Sequence, residues 1–399
     1  MNDHFIHVIT VPFRRKNMFC RITAEQQLYL YYTSFYEKIH YHFIIFLCII
    51  KYNPRKENHF MIVKKMPILK GFSGLESVKF LSKKIVSENN FRPVFYDIET
   101  TGLSQYSSFL YLIGAVVREG SQWMLHQWMI EKESEEKELL CIFSDFIKNY
   151  TLSIQYNGDH FDQPYLEARC SVYGLPSPFS SIPSLDLYQT LKPCKALLKL
   201  PGMKQPQLEA FLGLPRRLFC DGREGIRCFR SYLKTPCEET AQELLGHNAE
   251  DLTGLLDITQ LLSCLCLWDG RYRCVQASRE DDAVLFLLKP MEPFPVLFSN
   301  GNGHLYLSGR QNELRVLVPL NQGRLQQFYE NYRDYDYLPG EDTAILKSLS
   351  SCIDRKLRKP ATRDTCYTWF SCDEQFLSDP GRQMQYLTHA LPHFLHTLK

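Results

Sequence analysis

Apolar runs bounded by turn residues dominate the chain between residues 91 and 190, and they predict a sheet. The first run covers residues 94–103, and two more cover residues 109–117 and 122–130. A short polar segment, Glu119-Gly120-Ser121, separates the second run from the third and predicts an antiparallel hairpin. Residues 151–156 and 184–188 predict a fourth and a fifth strand.

Helical spacing of apolar residues predicts four helices, over residues 134–147, 162–169, 207–213 and 238–268. The first opens with Ser134 as its N-cap and with acidic residues in its first turn. The second carries Pro164 in its first turn, where proline is favoured. The long fourth helix is expected to break near Gly246. Together with the strands, these helices predict a mixed α/β domain over residues 91–270.

The chain after residue 270 predicts a second, smaller α+β unit. Residues 272–288 and 295–318 have strand patterns, and Asn300-Gly301-Asn302-Gly303 predicts a hairpin turn. Residues 341–357 predict a helix that ends in a basic run. We therefore expect residues 271–399 to form an accessory domain. Residues 61–90 are rich in lysine, and we expect them to be a lead-in at the edge of the first domain.

Residues 1–60 differ in composition from the rest of the chain. They contain no glycine and 13 aromatic residues. Their longest apolar run, residues 43–50, is far shorter than the roughly 20 residues that a membrane span needs. We expect this segment to be a non-native or disordered extension, with the natural start at Met61. A membrane-associated anchor is the alternative.

The composition of the whole chain narrows the class of protein. Its 399 residues, 45% of them apolar, are enough for two domains with hydrophobic cores. The net charge of +2 excludes a globally basic surface for nucleic acid, so any such surface must be local. The densest basic cluster is Lys192, Lys195, Lys199, Lys204, Arg216 and Arg217. This cluster is either a solvated face or a phosphate-contacting surface.

The fourteen cysteines are scattered, without a Cys-x-x-Cys pair or zinc-finger spacing. We interpret them as buried or free thiols of a protein in the reducing cytoplasm, and we expect no zinc site. Because no apolar run reaches the length of a membrane span, we expect no membrane partner.

Two acidic residues stand at the end of the first predicted strand. Asp97 and Glu99 are two positions apart, so their side chains point to the same face, while Ile98 packs on the other. Two neighbouring carboxylates repel each other and are costly to bury. A divalent cation with a preference for oxygen ligands, Mg²⁺ or Mn²⁺, would offset that cost. The alternative is an exposed strand end with two solvated acids.

Three motifs carry the candidate chemistry: Asp97-Ile98-Glu99-Thr100-Thr101-Gly102, Asn157-Gly158-Asp159-His160-Phe161-Asp162 and His247-Asn248-Ala249-Glu250-Asp251. In this order they resemble the three motifs of the DEDD 3′–5′ exonucleases of the ribonuclease H-like superfamily. The resemblance is to a bacterial ribonuclease H-like domain protein, similar to the proofreading exonuclease domains of DNA polymerases. It implies a ribonuclease H-like α/β fold, in which helices flank a mixed five-stranded sheet.

The resemblance also implies the roles of individual residues. Asp97, Glu99, Asp162 and Asp251 would hold two divalent cations, Mg²⁺ or Mn²⁺. His247 would accept a proton from the attacking water. The residues that the resemblance places at the substrate are Thr100, Gly102, Leu103, Asn157, Phe161 and Lys199.

The third motif departs from the family pattern. Three residues separate His247 from Asp251, which is the spacing of family members that carry tyrosine instead of histidine. Whether His247 acts as a base or only orients the water therefore stays open. Asp162 also has a second interpretation, as an acid that stabilises a helix start, and both interpretations are compatible.

The function that the resemblance implies is metal-dependent 3′–5′ exonuclease activity on single-stranded ends of DNA or RNA. An endonuclease or an RNA-processing nuclease would use the same acids, and these alternatives stay open. A non-catalytic nucleic-acid-binding scaffold is the competing class. A repair protein or a helicase as partner is beyond what the residues indicate.

Overall fold

The computed structural model describes residues 61–69, 71–215, 217, 219 and 222–398. The expected extension, residues 1–60, lies outside the described residues. So does Arg216 of the predicted basic cluster.

A six-stranded mixed sheet forms the first part of the fold. Its strands are β1 (Met61–Ile68), β2 (Pro93–Thr100), β3 (Leu110–Glu119), β4 (Gln122–Ile130), β5 (Leu152–Gln155) and β6 (Ser184–Asp186), in the spatial order β1-β4-β3-β2-β5-β6. The pairs β1–β4, β4–β3 and β3–β2 are antiparallel, whereas the pairs β2–β5 and β5–β6 are parallel. This is the ribonuclease H-like α/β class that the sequence indicated.

Strand β1 makes the sheet one strand wider than the five expected. The segment predicted as a lead-in does lie at the edge, but it pairs with β4 along its whole length, from Met61 opposite Ile130 to Ile68 opposite Trp123. Because lysine is uncommon in strands, the sequence pattern of residues 61–68 did not predict β1. Lys64 is 6% exposed, and burial lowers its pKa, a shift that the charge of Glu238 opposes.

Helices flank this sheet on both faces. They are α1 (Leu75–Ser82), α2 (Glu136–Ile147), α3 (Asp162–Val172), α4 (Leu187–Leu191), α5 (Cys194–Leu198), α6 (Gln205–Phe211), α7 (Gly222–Lys234), α8 (Glu238–Ile258) and α9 (Cys266–Asp269). Short 3₁₀ turns cover Glu88–Asn90, Glu133–Glu135 and Thr259–Leu265. Because the second of these turns precedes α2, the predicted cap at Ser134 is wrong. The Glu135 carboxylate instead accepts the backbone N–H groups of Glu131 and Lys132.

Helix α8 is continuous through Gly246, so the predicted break there is wrong. A Cβ atom on Gly246 would overlap the ring of Phe219, and glycine is therefore needed for packing rather than for a turn. By length and composition the stretch Glu238–Asp269 could cross a membrane, but 72% of its most apolar window is buried inside the protein. Core helices of folded proteins commonly pass the same test.

The rest of the described chain is mainly antiparallel. Its strands are β7 (Tyr272–Glu280), β8 (Ala283–Pro290), β9 (Phe294–Gly301), β10 (Tyr306–Gln311), β11 (Glu313–Pro319), β12 (Arg324–Phe328), β13 (Tyr335–Leu338), β14 (Thr343–Leu346), β15 (Lys359–Pro360) and β16 (Tyr367–Ser371). Five of them form a sheet in the order β7-β8-β11-β10-β9. Helices α10 (Lys347–Ser350), α11 (Glu374–Ser378) and α12 (Pro380–Thr397) and the 3₁₀ turns Tyr332–Asp334 and Arg355–Leu357 complete it.

The predicted hairpin turn does join β9 and β10, where Gly301 pairs with Tyr306. The helix predicted over residues 341–357 is wrong. Strand β14, helix α10 and a 3₁₀ turn replace it, because β14 pairs with β13 and Asp336 of β13 binds Ser350 and Arg358. The Asp336 carboxylate accepts the Ser350 hydroxyl at 2.5 Å and Arg358 Nη1 at 2.6 Å.

The two faces of the large sheet belong to two hydrophobic clusters. Phe95 lies in the cluster that continues through α8 and the 3₁₀ turn Thr259–Leu265 to Phe286 of β8. The next residue, Tyr96, lies in the other cluster, with Phe143 of α2. This alternation follows from strand geometry and leaves the end of β2 between the two layers.

Gly114 of β3 sets how closely helix α8 approaches the sheet. Gly114 pairs with Asp97 across the β2–β3 ladder. A Cβ atom on Gly114 would overlap Asn248 Oδ1 and would lie 2.5 Å from Leu252 Cδ1. The absence of a side chain therefore allows α8 to lie directly over the acidic end of β2.

We predict that Gly114→Ala lowers the free energy of unfolding by about 1–3 kcal/mol, because the added methyl group overpacks the contact with α8. Chemical denaturation of the full chain measures this change. Gly303→Ala is the matched control, since a Cβ atom there would meet nothing within 4 Å. Equal stability of the two variants would contradict the role of Gly114.

Candidate metal centre

Strand β2 holds the first two candidate acids, Asp97 and Glu99, in the middle of the sheet. Its pairing with β3 on one side and β5 on the other fixes the backbone of this strand. Glu99 is 9% exposed, and the Tyr111 hydroxyl donates to its Oε2 at 3.4 Å. The two carboxylates are therefore held in place by a rigid element and not by a loop.

Asp162 is the first residue of helix α3 and is 7% exposed. The backbone N–H groups of Asp162 itself and of Ile98 oppose the rise in pKa that burial causes at its carboxyl group. The influence of Ile98 indicates that the start of α3 lies beside the centre of β2. Asp162 thus stands at a helix start, as one interpretation of the sequence predicts, and its charge also acts on Asp97 and Glu99.

Helix α8 brings the third motif to the same place. His247 Nε2 lies 3.2 Å from Glu99 Oε1 and 3.3 Å from Asp251 Oδ2. One ligand atom from each of these three residues lies within 4.8 Å of the other two, a spacing that suits a metal ion. The ring nitrogen His247 Nδ1 is buried and has no hydrogen-bond partner among the residues that the structure describes.

Asn248 joins Asp97 to the sheet, a contact that the sequence did not reveal. Its Nδ2 donates to Asp97 Oδ2 at 2.9 Å. Its Oδ1 accepts Gln127 Nε2 at 2.9 Å, and the same Nε2 atom donates to the Leu245 carbonyl at 2.8 Å. The only signal for Asn248 in the sequence was its place next to His247.

Arg217 does not belong to an exposed basic surface. Its guanidinium group binds the carboxylates of Glu209 and Asp251, and its side chain is 19% exposed. Four lysines of the predicted cluster, Lys192, Lys195, Lys199 and Lys204, are exposed. The sequence showed the positive charge of Arg217 but could not show its partners, which lie 8 and 34 residues away along the chain.

The buried acids strongly perturb each other. Burial, followed by the charge of Asp251, raises the pKa values of Asp97 and Glu99 well above the ordinary range. Burial raises the pKa of Asp162 to about 7, although two backbone hydrogen bonds oppose the shift. Close like charges in a desolvated place disfavour the ionised forms. Protons or a bound cation would relieve this repulsion.

The residues expected at the substrate fall into two groups. Leu103 is 83% exposed and Lys199 is also exposed, so both are accessible to a ligand. The others are buried or half-buried, and they are Thr100, Gly102, Asn157 and Phe161.

Two of the half-buried or buried residues shape the backbone around the acids. The Thr100 hydroxyl donates to the Gly102 carbonyl at 2.9 Å, which closes the turn after β2. Asn157 has a left-handed backbone with φ of 61°, and its N–H donates to Asp186 Oδ1 at 2.9 Å. Asp186 also caps helix α4, so one carboxylate supports both this turn and the start of that helix.

Comparisons with known proteins agree with this architecture. Residues 94–263 match the family model described as the RNase_H superfamily. A segment of 134 residues is 28% identical to DNA polymerase 1 of Aeropyrum pernix, covering 32% of this chain and 14% of the polymerase. A segment of 46 residues is 46% identical to a DNA polymerase of Methanocaldococcus jannaschii, covering 12% of this chain and 3% of that polymerase. The chain thus matches only a small part of these relatives.

Two solved structures show weaker likenesses. The family B DNA polymerase of Pyrobaculum calidifontis aligns with a TM-score of 0.37 and 15% identity, over 45% of this chain and 26% of that chain. E. coli exonuclease I in complex with a dT13 oligonucleotide aligns with a TM-score of 0.30 and 10% identity, over 49% and 55%. The likeness of this protein to the ribonuclease H superfamily rests on the family match to residues 94–263.

Proposed function

We propose that this protein is a metal-dependent 3′–5′ exonuclease that hydrolyses phosphodiester bonds at single-stranded nucleic acid ends. The observation that carries the proposal is the meeting of Glu99, His247 and Asp251, whose ligand atoms lie within 4.8 Å of one another. Two further acids, Asp97 and Asp162, lie close enough to perturb the charges of this group. The nuclease-like fold of the ribonuclease H superfamily supports the same reading.

The donor set fits divalent cations. Carboxylate oxygens are hard ligands that suit Mg²⁺ and Mn²⁺, and a bound cation would oppose the rise in pKa that burial and neighbouring acids cause at Asp97 and Glu99. We propose that the four carboxylates hold two such ions. When bound, divalent cations stabilise the charge that develops on the phosphate and on the leaving oxygen.

His247 is the group that we propose to accept a proton from the attacking water. An imidazole has an unperturbed pKa near neutrality, which suits a general base at physiological pH. Its Nε2 atom faces the acids, at 3.2 Å from Glu99 Oε1, so a base at this atom would lie inside the cluster.

Exposed Leu103 and Lys199 would contact the nucleic acid strand.

The choice of substrate rests on the relatives. Both matched relatives are named DNA polymerases, which supports a nucleic acid substrate. The proposed 3′–5′ polarity comes from the resemblance of the three motifs to the DEDD exonucleases. An endonuclease or an RNA-processing nuclease would use the same acids. A non-catalytic scaffold is less well supported, because a binding protein gains nothing from a buried cluster of like charges.

We predict that Asp97→Asn lowers the rate of cleavage by about 10³-fold or more, because it removes a charged ligand of the proposed ions. The assay uses the full chain with end-labelled single-stranded DNA and RNA, Mg²⁺ or Mn²⁺, and EDTA as the blank. A ladder that shortens from the 3′ end is expected for the unmodified protein. Internal cuts would favour the endonuclease, and binding without cleavage would favour the scaffold.

The matched control for this experiment is Asp159→Asn, which also replaces an acid of the second motif. Asp159 accepts hydrogen bonds from Gln155 and Ser184, away from the acids of β2. We expect it to retain cleavage. Full activity of Asp97→Asn would contradict the proposed function.

We predict that the metal-free protein loses stability as the pH rises from about 4 to about 7. The folded pKa of Asp162 is about 7, above its ordinary value of 3.8, so the folded state keeps a proton that the unfolded chain releases within this window. Denaturation in EDTA at several pH values measures the slope, and Asp162→Asn should make it shallower. Identical slopes would contradict the assignment.

Divalent ions should reverse this loss. We predict that Mn²⁺ raises the melting temperature by several degrees at pH 7.5, since an ion at about 100 times its Kd stabilises the folded state by about 2.7 kcal/mol. The increase should be smaller at pH 5, where protons compete for the same oxygens. A melting temperature that does not respond to Mn²⁺ would argue against a metal centre.

We predict that His247→Gln lowers the rate of cleavage by about 10²–10⁴-fold, the usual contribution of a general base. The same variant separates two roles when its Mn²⁺ affinity is measured without nucleic acid. Unchanged affinity with slow cleavage supports a proton acceptor. A large loss of affinity would show that His247 is a metal ligand and would contradict the role of base.

A further inference from the structure

A buried ion pair lies directly behind the candidate metal centre. Arg217 Nε donates to Glu209 Oε2 at 2.8 Å, and Arg217 Nη2 donates to Glu209 Oε1 at 2.5 Å. The side chain of Glu209 is 8% exposed and that of Arg217 is 19% exposed. This two-point contact fixes the plane of the guanidinium group, because both groups are planar and their atoms match.

The remaining amino group of Arg217 binds one oxygen of Asp251. Nη1 donates to Asp251 Oδ1. The other oxygen, Oδ2, lies 3.3 Å from His247 Nε2, on the side of Glu99. The two oxygens of Asp251 therefore face different partners, and only Oδ2 faces the acids of β2.

Gln205 and Gly254 hold Glu209 of helix α6 against helix α8. Gln205 Nε2 donates to the Asp251 carbonyl at 2.7 Å and to Glu209 Oε1 at 3.0 Å. A Cβ atom on Gly254, one turn after Asp251 in α8, would overlap the Glu209 carboxylate. Glu209 is thus held by α6 and by α8, and Arg217 is held by Glu209.

We propose that Arg217 is a positioning residue of the metal centre. Clamped by Glu209, it occupies Oδ1 of Asp251 and leaves Oδ2 as the oxygen that faces a divalent cation beside Glu99. This inference rests on the proposed function only in taking Asp251 as a metal ligand. It assigns Arg217 a role that differs from contacting phosphate.

The charges around Arg217 decide the direction of the effect. A lone guanidinium group next to a metal site would repel the cation. Here Glu209 neutralises Arg217, so the group of Glu209, Arg217 and Asp251 keeps one net negative charge. Loss of the guanidinium group of Arg217 would free the Asp251 carboxylate to rotate. Partners that orient a metal ligand commonly contribute 10–100-fold to metal affinity.

The test is Mn²⁺ binding to the full chain without nucleic acid, measured from the electron paramagnetic resonance signal of free Mn²⁺. Arg217→Lys keeps the charge but cannot bridge both carboxylates, and we expect its apparent Kd to rise about 10–100-fold. Glu209→Gln removes the clamp and leaves every residue that contacts Asp251 in place. We expect it to shift the Kd in the same direction.

Arg169→Lys is the matched control, because Arg169 forms the same two-point contact with Glu136 in another buried pair. We expect it to lose thermal stability, as the two test variants do, but to bind Mn²⁺ like the unmodified protein. Melting temperatures of all variants are measured in EDTA, so that loss of folding is separated from loss of affinity.

The outcomes separate this inference from the proposed function. If Arg217→Lys and Glu209→Gln fold and bind Mn²⁺ as tightly as the unmodified protein or more tightly, the positioning role is wrong, whatever the cleavage assay shows. If the unmodified protein binds Mn²⁺ but does not cleave, the exonuclease proposal fails. The Mn²⁺ affinities of the variants still test the positioning role of Arg217. A protein that binds no Mn²⁺ overturns the metal centre on which both stand.

Discussion

The burial of several carboxylates at one point is the constraint on which the rest of the structure depends. Asp97, Glu99 and Asp162 are desolvated together, and burial and mutual repulsion raise their pKa values. The protein offsets this cost only in part. Asn248 donates to Asp97, and backbone N–H groups oppose the rise in the pKa of Asp162. Positive charge, from protons or from a bound cation, would relieve the repulsion that remains.

The fold keeps this cluster rigid by building it on a central strand and a long helix. Strand β2 is paired on both edges, and α8 lies against it because Gly114 has no side chain. The hydrophobic cluster below the sheet continues through α8 into β8 and α12. Residues 272–398 therefore help to hold α8 in place from behind. This packing gives the second part of the chain a structural role in the site even though it provides none of the four acids.

Two elements show why local sequence patterns mislead in this protein. Residues 61–68 carry lysines that are unusual in strands, yet they form β1, because the exposed edge of β4 provides a full ladder of backbone partners. Residues 341–357 have a helical pattern, yet pairing of β14 with β13 and the contacts of Asp336 divide the segment. In both cases tertiary partners contribute more than the weak intrinsic preference of the backbone.

The sequence by itself determined the residue types of the three motifs and which side chains share a face. A spacing of two on a strand and of four on a helix fixes that geometry locally, so Asp97 with Glu99 and His247 with Asp251 were predictable as pairs. Only the tertiary structure decided that Asn248 holds Asp97 and that Arg217, clamped by Glu209, selects one oxygen of Asp251. These contacts join residues that are 151, 8 and 34 positions apart, and no periodic pattern records a partner at such distances.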